Sequence, residues 1–197
     1  MNRIRPTAVA AVAATIALTL AGCGDDGHDF GGVVADQPQA VADFELTSAA
    51  GPIRLSDFAG RYTFVYFGYT YCPDLCPDAL SKLARVRRQL GADADRMAVL
   101  MVSVDPDRDT PERLADYVKS FDETFVGATG TDDELDAAGV DYGLYYAKGD
   151  ALGDGYLVDH TARIFLHDPD GRVVVSYSFD ATDDDIVADI EYLLDGE

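Results

Sequence analysis

An uncharged apolar run at residues 62–69, Tyr-Thr-Phe-Val-Tyr-Phe-Gly-Tyr, passes within a few residues through Cys72-Pro-Asp-Leu-Cys76-Pro77. It then enters a stretch whose apolar residues, Leu80, Leu83, Val86 and Leu90, recur at helical spacing. A buried strand leading at once into an amphipathic helix is the building step of an α/β sheet. The two cysteines occupy the strand-to-helix turn. The residue before a proline is pushed out of the α region, and proline itself fits the first helical position, so Cys76 is the expected N-cap and Pro77 the expected first helical residue. Free backbone N–H groups and the positive end of the helix dipole then face the sulfurs and favour thiolate over thiol. A structural disulfide is the ordinary reading of cysteines in an exported domain. A bridge closing so small a loop removes little entropy from the unfolded chain, however, so a redox or metal role is the stronger expectation for the pair.

The third cysteine stands in a different kind of sequence. Asn2-Arg3-Ile4-Arg5 is a short basic start, and Pro6 to Gly22 is uncharged and rich in Ala, Val, Ile and Leu, ending Leu20-Ala21-Gly22-Cys23. This is the layout of a signal peptide over residues 1–22, with small residues directly before a cysteine that would accept a lipid. An uncleaved anchor is the rival, at the short limit for spanning a bilayer. Both readings tether the chain to the cell membrane on its extracytoplasmic face. Residues 23–40 read as a lipidated flexible tether, since Gly24 to Gly32 shows no apolar periodicity, and His28 within it as an incidental solvated residue. Residues 41–197 are then one domain. A net charge of −21 excludes nucleic acid and anionic lipid as partners held by charge, which makes a covalent lipid the more credible anchor and leaves the uncleaved anchor as its rival. The Asp-rich, Lys-poor composition resembles the surface bias of proteins from salt-rich cells.

The rest of the chain alternates strand and helix signals. Asp43-Phe-Glu-Leu-Thr and Pro52-Ile-Arg-Leu flank turn-forming Ser48–Gly51, which predicts an N-terminal hairpin. Arg96 to Val104 is a second buried strand. Thr110 caps a helix that begins at Pro111, Thr131-Asp-Asp-Glu134 is a capping box, and Thr182 with three aspartates caps a last helix. Val158 to His167 and Arg172 to Phe179 alternate around Asp168-Pro-Asp-Gly171, a C-terminal hairpin. A central mixed sheet flanked by helices, with a hairpin at each end of the chain, is a thioredoxin-like α/β arrangement.

That architecture ordinarily carries Cys-x-x-Cys faced by a proline. Here the cysteines are one residue further apart, and Leu157-Val-Asp-His160-Thr brings a histidine to the neighbourhood of the proline. Two sulfurs and an imidazole form a soft three-donor set suited to Cu(I), and an added oxygen would complete a tetragonal Cu(II) shell. Structural zinc would ask for a fourth protein ligand that the sequence does not offer.

The stretches Thr70-Tyr-Cys-Pro-Asp-Leu-Cys-Pro-Asp-Ala-Leu, Ser103-Val-Asp-Pro-Asp-Arg-Asp-Thr-Pro, Val126-Gly-Ala-Thr-Gly-Thr and Tyr156-Leu-Val-Asp-His-Thr occur in this order. Over roughly residues 40–195 the chain resembles the Sco/SenC family of copper-delivery proteins. The resemblance implies a thioredoxin-like domain tethered outside the cytoplasm, with Cys72, Cys76 and His160 as copper ligands. It also implies a role in assembling the binuclear copper centre of cytochrome c oxidase subunit II. Further partners it implies are another copper chaperone or a thioredoxin-like reductant. Whether such a protein donates copper, acts as a thiol-disulfide oxidoreductase on the oxidase cysteines, or does both stays open at this point. A peroxiredoxin ranks last, because Thr70 is at the wrong spacing from Cys72. Asp159 is expected beside the ligand either as an acceptor that orients His160 or lines the site, or equally as an ordinary loop hydrogen-bonder. Asp105, Arg108 and Asp109 are expected to fix a loop, His167 to lie at the surface, and Tyr142, Tyr145 and Tyr146 to be core or interface aromatics.

Overall fold

A computed structural model of the protein describes residues 27–152 and 155–196. The expected signal peptide and Cys23 lie outside the described residues. In chain order the elements are β1 (Val33–Gln39), β2 (Glu45–Ser48), β3 (Gly51–Arg54), β4 (Tyr62–Gly68), α1 (Leu75–Gln89), β5 (Met97–Ser103), α2 (Pro111–Lys119) and β6 (Val126–Thr129). They continue with α3 (Asp132–Gly139), β7 (Tyr146–Leu152), β8 (Gly155–His160), β9 (Ile164–His167), β10 (Val173–Tyr177) and α4 (Asp183–Asp195).

Eight strands form one mixed sheet in the order β1-β10-β9-β4-β5-β6-β2-β3, and β7 and β8 form a separate two-stranded sheet. The centre is parallel: β4 runs beside β5 from Tyr62↔Met97 to Gly68↔Ser103, and β5 beside β6. Every residue of β4 and β5 is buried, which is why both read as unbroken apolar runs and not as alternating ones. Successive side chains on β4 point to opposite faces. Tyr62 and Phe64 face α4 and Tyr177, through the Tyr62 hydroxyl bonded to the Leu193 carbonyl and a 6.3 Å Phe64–Tyr177 ring contact. Phe67 faces the other way, onto Tyr142 and Phe165. At Gly127 of β6 a Cβ would stand 2.9 Å from the Leu114 Cβ, so only glycine lets α2 lie this close to the sheet.

The hairpin β2–β3, the hairpin β9–β10 and the threonine caps of α2, α3 and α4 follow the sequence reading. Other expectations are corrected. The segment expected as the end of a tether is strand β1, paired antiparallel with β10. Val33 and Val34 are exposed, so the strand exists through its backbone pairing and leaves no apolar pattern to read. His28 is not a free solvated residue. Its Nε2 lies 2.7 Å from the buried Asp189 carboxylate, its ring stacks on Tyr192 at 4.4 Å, and the Gly31 N–H donates to the same carboxylate. His167 is fully buried, with Nε2 3.0 Å from the Tyr142 hydroxyl and Nδ1 3.0 Å from the Gly171 carbonyl. Burial holds its pKa below the ordinary imidazole value. The continuous strand expected from Val158 to His167 is broken after His160, and its first part pairs with β7 instead of β10. Of the three tyrosines, Tyr142 is core and Tyr145 is 63% exposed.

Candidate metal centre

Strand β4 ends at Gly68, and the chain turns through Tyr69 to Asp74 before α1 begins at Leu75. Asp74, not Cys76, occupies the N-cap, and Cys76 is already the second helical residue. The shift changes which sulfur feels the helix end. The Cys76 N–H, one of the donors unpaired within the first helical turn, points at Cys72 and lies 3.4 Å from its Sγ. Cys72 is half-buried at the rim, Cys76 is fully buried behind it, and the two are unbridged thiols.

His160 ends β8 and brings its Nε2 to 3.7 Å from the Cys76 Sγ. The Sγ atoms of Cys72 and Cys76 and a ring nitrogen of His160 all lie within 4.8 Å of one another. Among the described residues this is the one group of three or more His, Cys, Asp or Glu side chains placed to share a metal ion. The Nδ1 of His160 lies 3.1 Å from the Thr161 carbonyl, an arrangement that leaves Nε2 free to act as a donor atom toward the sulfurs. Of the two readings of Asp159, its exposure goes with the loop one, and the group beside the ring nitrogen is the Thr161 carbonyl. Tyr66 and Tyr69 set their ring edges against the imidazole at 6.1 and 5.8 Å.

The two sulfurs are electrostatically unequal. A hydrogen bond from Cys76 holds the Cys72 thiol far below its ordinary range; His160 and the N–H groups of Asp74 and Cys76 add to this, against the cost of burial. Cys76 moves the opposite way, because it supplies that hydrogen bond and is buried. In the reduced pair the rim sulfur of Cys72 is therefore the one favoured to carry the charge, and the interior sulfur of Cys76 the one favoured to keep its proton.

The loop after β5 fastens both sides of the site. Asp109 is fully buried and accepts from the Thr70 N–H at 2.8 Å, the Thr70 hydroxyl at 2.5 Å and the Ser103 hydroxyl at 2.6 Å, which fixes the cysteine turn. Asp105, also fully buried, accepts from Arg108 Nε at 2.5 Å and the Tyr156 hydroxyl at 2.6 Å. The Arg108 guanidinium lies 3.6 Å over the Tyr156 ring and 4.6 Å from that of Tyr71, and it donates to the Tyr156 carbonyl. The motif residues thus serve as loop-fixing groups, as their sequence context predicts. Sequence reasoning missed their partners, Ser103, Thr70 and Tyr156, and also Tyr66, whose hydroxyl donates to the Cys76 sulfur at 3.4 Å. Nothing in a single sequence marks a tyrosine in an apolar strand as a sulfur's neighbour.

A mixed sheet with a cysteine pair at the junction of its central strand and following helix, faced by a histidine, defines a thioredoxin-like thiol protein with a soft metal-binding corner. Residues 33–195 match the SCO1/SenC family, and the chain belongs to it. It is 41% identical over 140 residues to the mitochondrial protein SCO2 homolog of Bos taurus, covering 69% of this chain and 53% of that one. The solution structure of apo Sco1 from Thermus thermophilus superposes with a TM-score of 0.77 at 39% identity, over 84% of this chain and 98% of that one. Arabidopsis thaliana ScoI, solved with copper bound, superposes with a TM-score of 0.75 at 30% identity, over 80% and 99%. The chain spans about half the length of the curated relatives it matches. Among the described residues no helix is long and apolar enough to cross a membrane.

Proposed function

We propose that this protein is a copper metallochaperone, tethered through lipidated Cys23 to the extracytoplasmic face of the membrane. It carries one copper ion on Cys72, Cys76 and His160 and passes it to the binuclear copper centre of cytochrome c oxidase subunit II. The observation that carries the reading is the convergence of two sulfurs and an imidazole nitrogen within 4.8 Å. The donor set fits this cargo. Thiolate and imidazole suit Cu(I), and an additional oxygen donor would suit Cu(II). Family membership and the copper bound in the Arabidopsis relative support the same assignment. A chain of net charge −21 would not be drawn to anionic lipid, which supports a covalent anchor over a charged one.

A second reading, thiol-disulfide reduction of the oxidase cysteines, has its own support in the unequal sulfurs. The rim thiolate of Cys72 would attack a partner disulfide, and Cys76 behind it would resolve the mixed disulfide. The partner leaves as a dithiol and this chain as the Cys72–Cys76 disulfide.

The test uses the full chain carrying Cys23→Ser, reduced and titrated with Cu(I) without oxygen. One copper per chain is expected, and Cys72→Ser or Cys76→Ser should abolish tight binding because a hydroxyl is a poor soft-metal ligand. His160→Ala should weaken Cu(II) more than Cu(I). Either serine variant retaining full stoichiometry and affinity would overturn the site. Loading without transfer to a reduced acceptor, alongside reduction of an oxidised one, would decide for the reductase.

A further inference from the structure

Tyr66 and Gly68 stand two residues apart on β4, so both face α1. Directly over Gly68 sits the Cys76 sulfur: a Cβ at position 68 would lie 3.0 Å from that Sγ and 2.7 Å from the Tyr66 Cε1. The absent side chain lets the sulfur settle against the strand, where the Tyr66 hydroxyl donates to it at 3.4 Å. Both partners are closed to water, with Tyr66 2% and Cys76 0% exposed. The hydroxyl of Tyr66 therefore depends on this sulfur for an acceptor.

We infer that Tyr66 is a positioning residue that biases the cysteine pair toward its reduced form, through a hydrogen bond that a thiol or thiolate at Cys76 accepts and a disulfide sulfur accepts poorly. The inference rests on the pair being the working dithiol proposed above. Reduction of the Cys72–Cys76 disulfide takes two electrons and two protons, supplied by an external dithiol that leaves as its own disulfide. In the oxidised protein the Tyr66 hydroxyl would face a weak acceptor, and its burial prevents it from turning to water. An unsatisfied buried donor is costly, and that cost falls on the disulfide state alone. Phenylalanine at position 66 keeps the ring and removes the cost, so the disulfide becomes the easier state to hold.

The experiment equilibrates the full chain, carrying Cys23→Ser so that Cys72 and Cys76 are its remaining cysteines, with graded ratios of reduced to oxidised dithiothreitol. Thiols are counted after acid quenching. Tyr66→Phe should need an about tenfold more reducing ratio to reach its midpoint, about 30 mV for a two-electron couple. Gly68→Ala, which displaces the sulfur without removing the hydroxyl, should move the midpoint the same way. Tyr142→Phe removes a buried hydroxyl 3.0 Å from His167 on the opposite face of the sheet and should leave the midpoint in place. The inference is overturned if Tyr66→Phe and Gly68→Ala titrate with the unaltered protein, or if Tyr142→Phe shifts as far as they do. No copper enters this titration. A chain that failed to bind copper would remove the copper reading and leave the bias measurable, whereas an unshifted midpoint in a copper-binding chain would remove the bias alone.

Discussion

The cysteine side and the histidine side of the site are held by different amounts of structure. Cys72 and Cys76 follow directly from β4, a wholly buried central strand, and their turn is tied from beneath by the buried Asp109. His160 ends a two-stranded sheet of its own. That hairpin meets the body through Val158, which is buried in the core, and through a handful of other side chains: Tyr156 on Arg108 and Asp105, Lys148 on Asp107, and Tyr146 on Asp136. The last two pairs are exposed, where ion pairs and hydrogen bonds contribute little. The thiolates are therefore preorganised by folding of the central sheet, while the imidazole is carried on a separate hairpin anchored by one buried valine and a few polar pairs. Substitutions on the two sides should separate accordingly, one reading as lost stability and the other as a lost ligand.

The largest effect is expected on the cysteine side. Asp109→Ala leaves the Thr70 N–H, the Thr70 hydroxyl and the Ser103 hydroxyl without their acceptor, the first two at a half-buried residue and the last in the interior. At roughly 1 kcal/mol or more for each stranded group, the loss is about 3 kcal/mol. A domain of this size should then melt roughly 6–12 °C lower. A melting temperature unchanged within two degrees would mean that the buried carboxylate does not hold the turn, and the contrast between the two sides would collapse.

A smaller and differently shaped effect is expected across the gap. Tyr156→Ala removes the ring beneath the Arg108 guanidinium and the hydroxyl bonded to Asp105, both on the strand that carries His160. A desolvated stack and one hydrogen bond contribute about 1–2 kcal/mol, and the loss should fall on the hairpin and not on the sheet. Amide exchange in residues 155–160 should quicken by about tenfold, which corresponds to about 1.4 kcal/mol, while the core amides keep their protection. Cu(II) affinity should drop as it does for His160→Ala, though less, with Cu(I) affinity barely altered. Equal quickening of exchange in β4 and in β8 would show one cooperative body instead of two.

The same contrast explains what the sequence made legible. Strands β4 and β5 are buried on both faces, and helices α2, α3 and α4 are announced by threonine caps, so side-chain type alone marks them. The three converging donors could be named from the cysteine pair in the strand-to-helix turn, from a histidine standing where a thioredoxin-like fold expects a proline, and from the resemblance to the Sco/SenC family. Strand β1 and the β7 half of the hairpin were hidden, since they are held by backbone pairing with β10 and β8; the side chains of β1 look outward, and residues 148–151 of β7 are exposed. The cap of α1 was misplaced by two residues for a related reason. The rule that proline starts a helix is satisfied anywhere in the first turn, because Pro77 at the third helical position still lacks only an N–H with no partner inside the helix. His167 was misjudged because its partners, the Tyr142 hydroxyl and the Gly171 carbonyl, are brought to it by the folded chain and are not marked in its own strand.

The smallest expected effect concerns the two sulfurs themselves. Cys72 is held below the ordinary thiol range, chiefly by the hydrogen bond from Cys76. A group with a depressed folded pKa contributes stability that is complete above its unfolded value and lost as pH falls toward its folded value. Cys76 has the opposite sign: raised by its bond to Cys72 and by burial, it contributes fully below the ordinary thiol range and loses that contribution as pH rises above it. The stability difference between the reduced protein and Cys72→Ser should therefore widen as pH rises from 5 to 8, and narrow again above about 9, past the ordinary thiol pKa of about 8.5. Cys72 is partly open to solvent, which screens the charge, so the change should be no more than a few degrees in melting temperature. Alkylation by iodoacetamide gives the companion reading. Cys72 should react first, at a rate nearly flat from pH 6 to 8 because its thiolate is already formed, while Cys76 stays protected behind it. A rate that climbs about tenfold per pH unit through that range would be the behaviour of an ordinary thiol. It would place the thiolate elsewhere than at the rim, and with it would go the case for Cys72 as the attacking sulfur of a reductase.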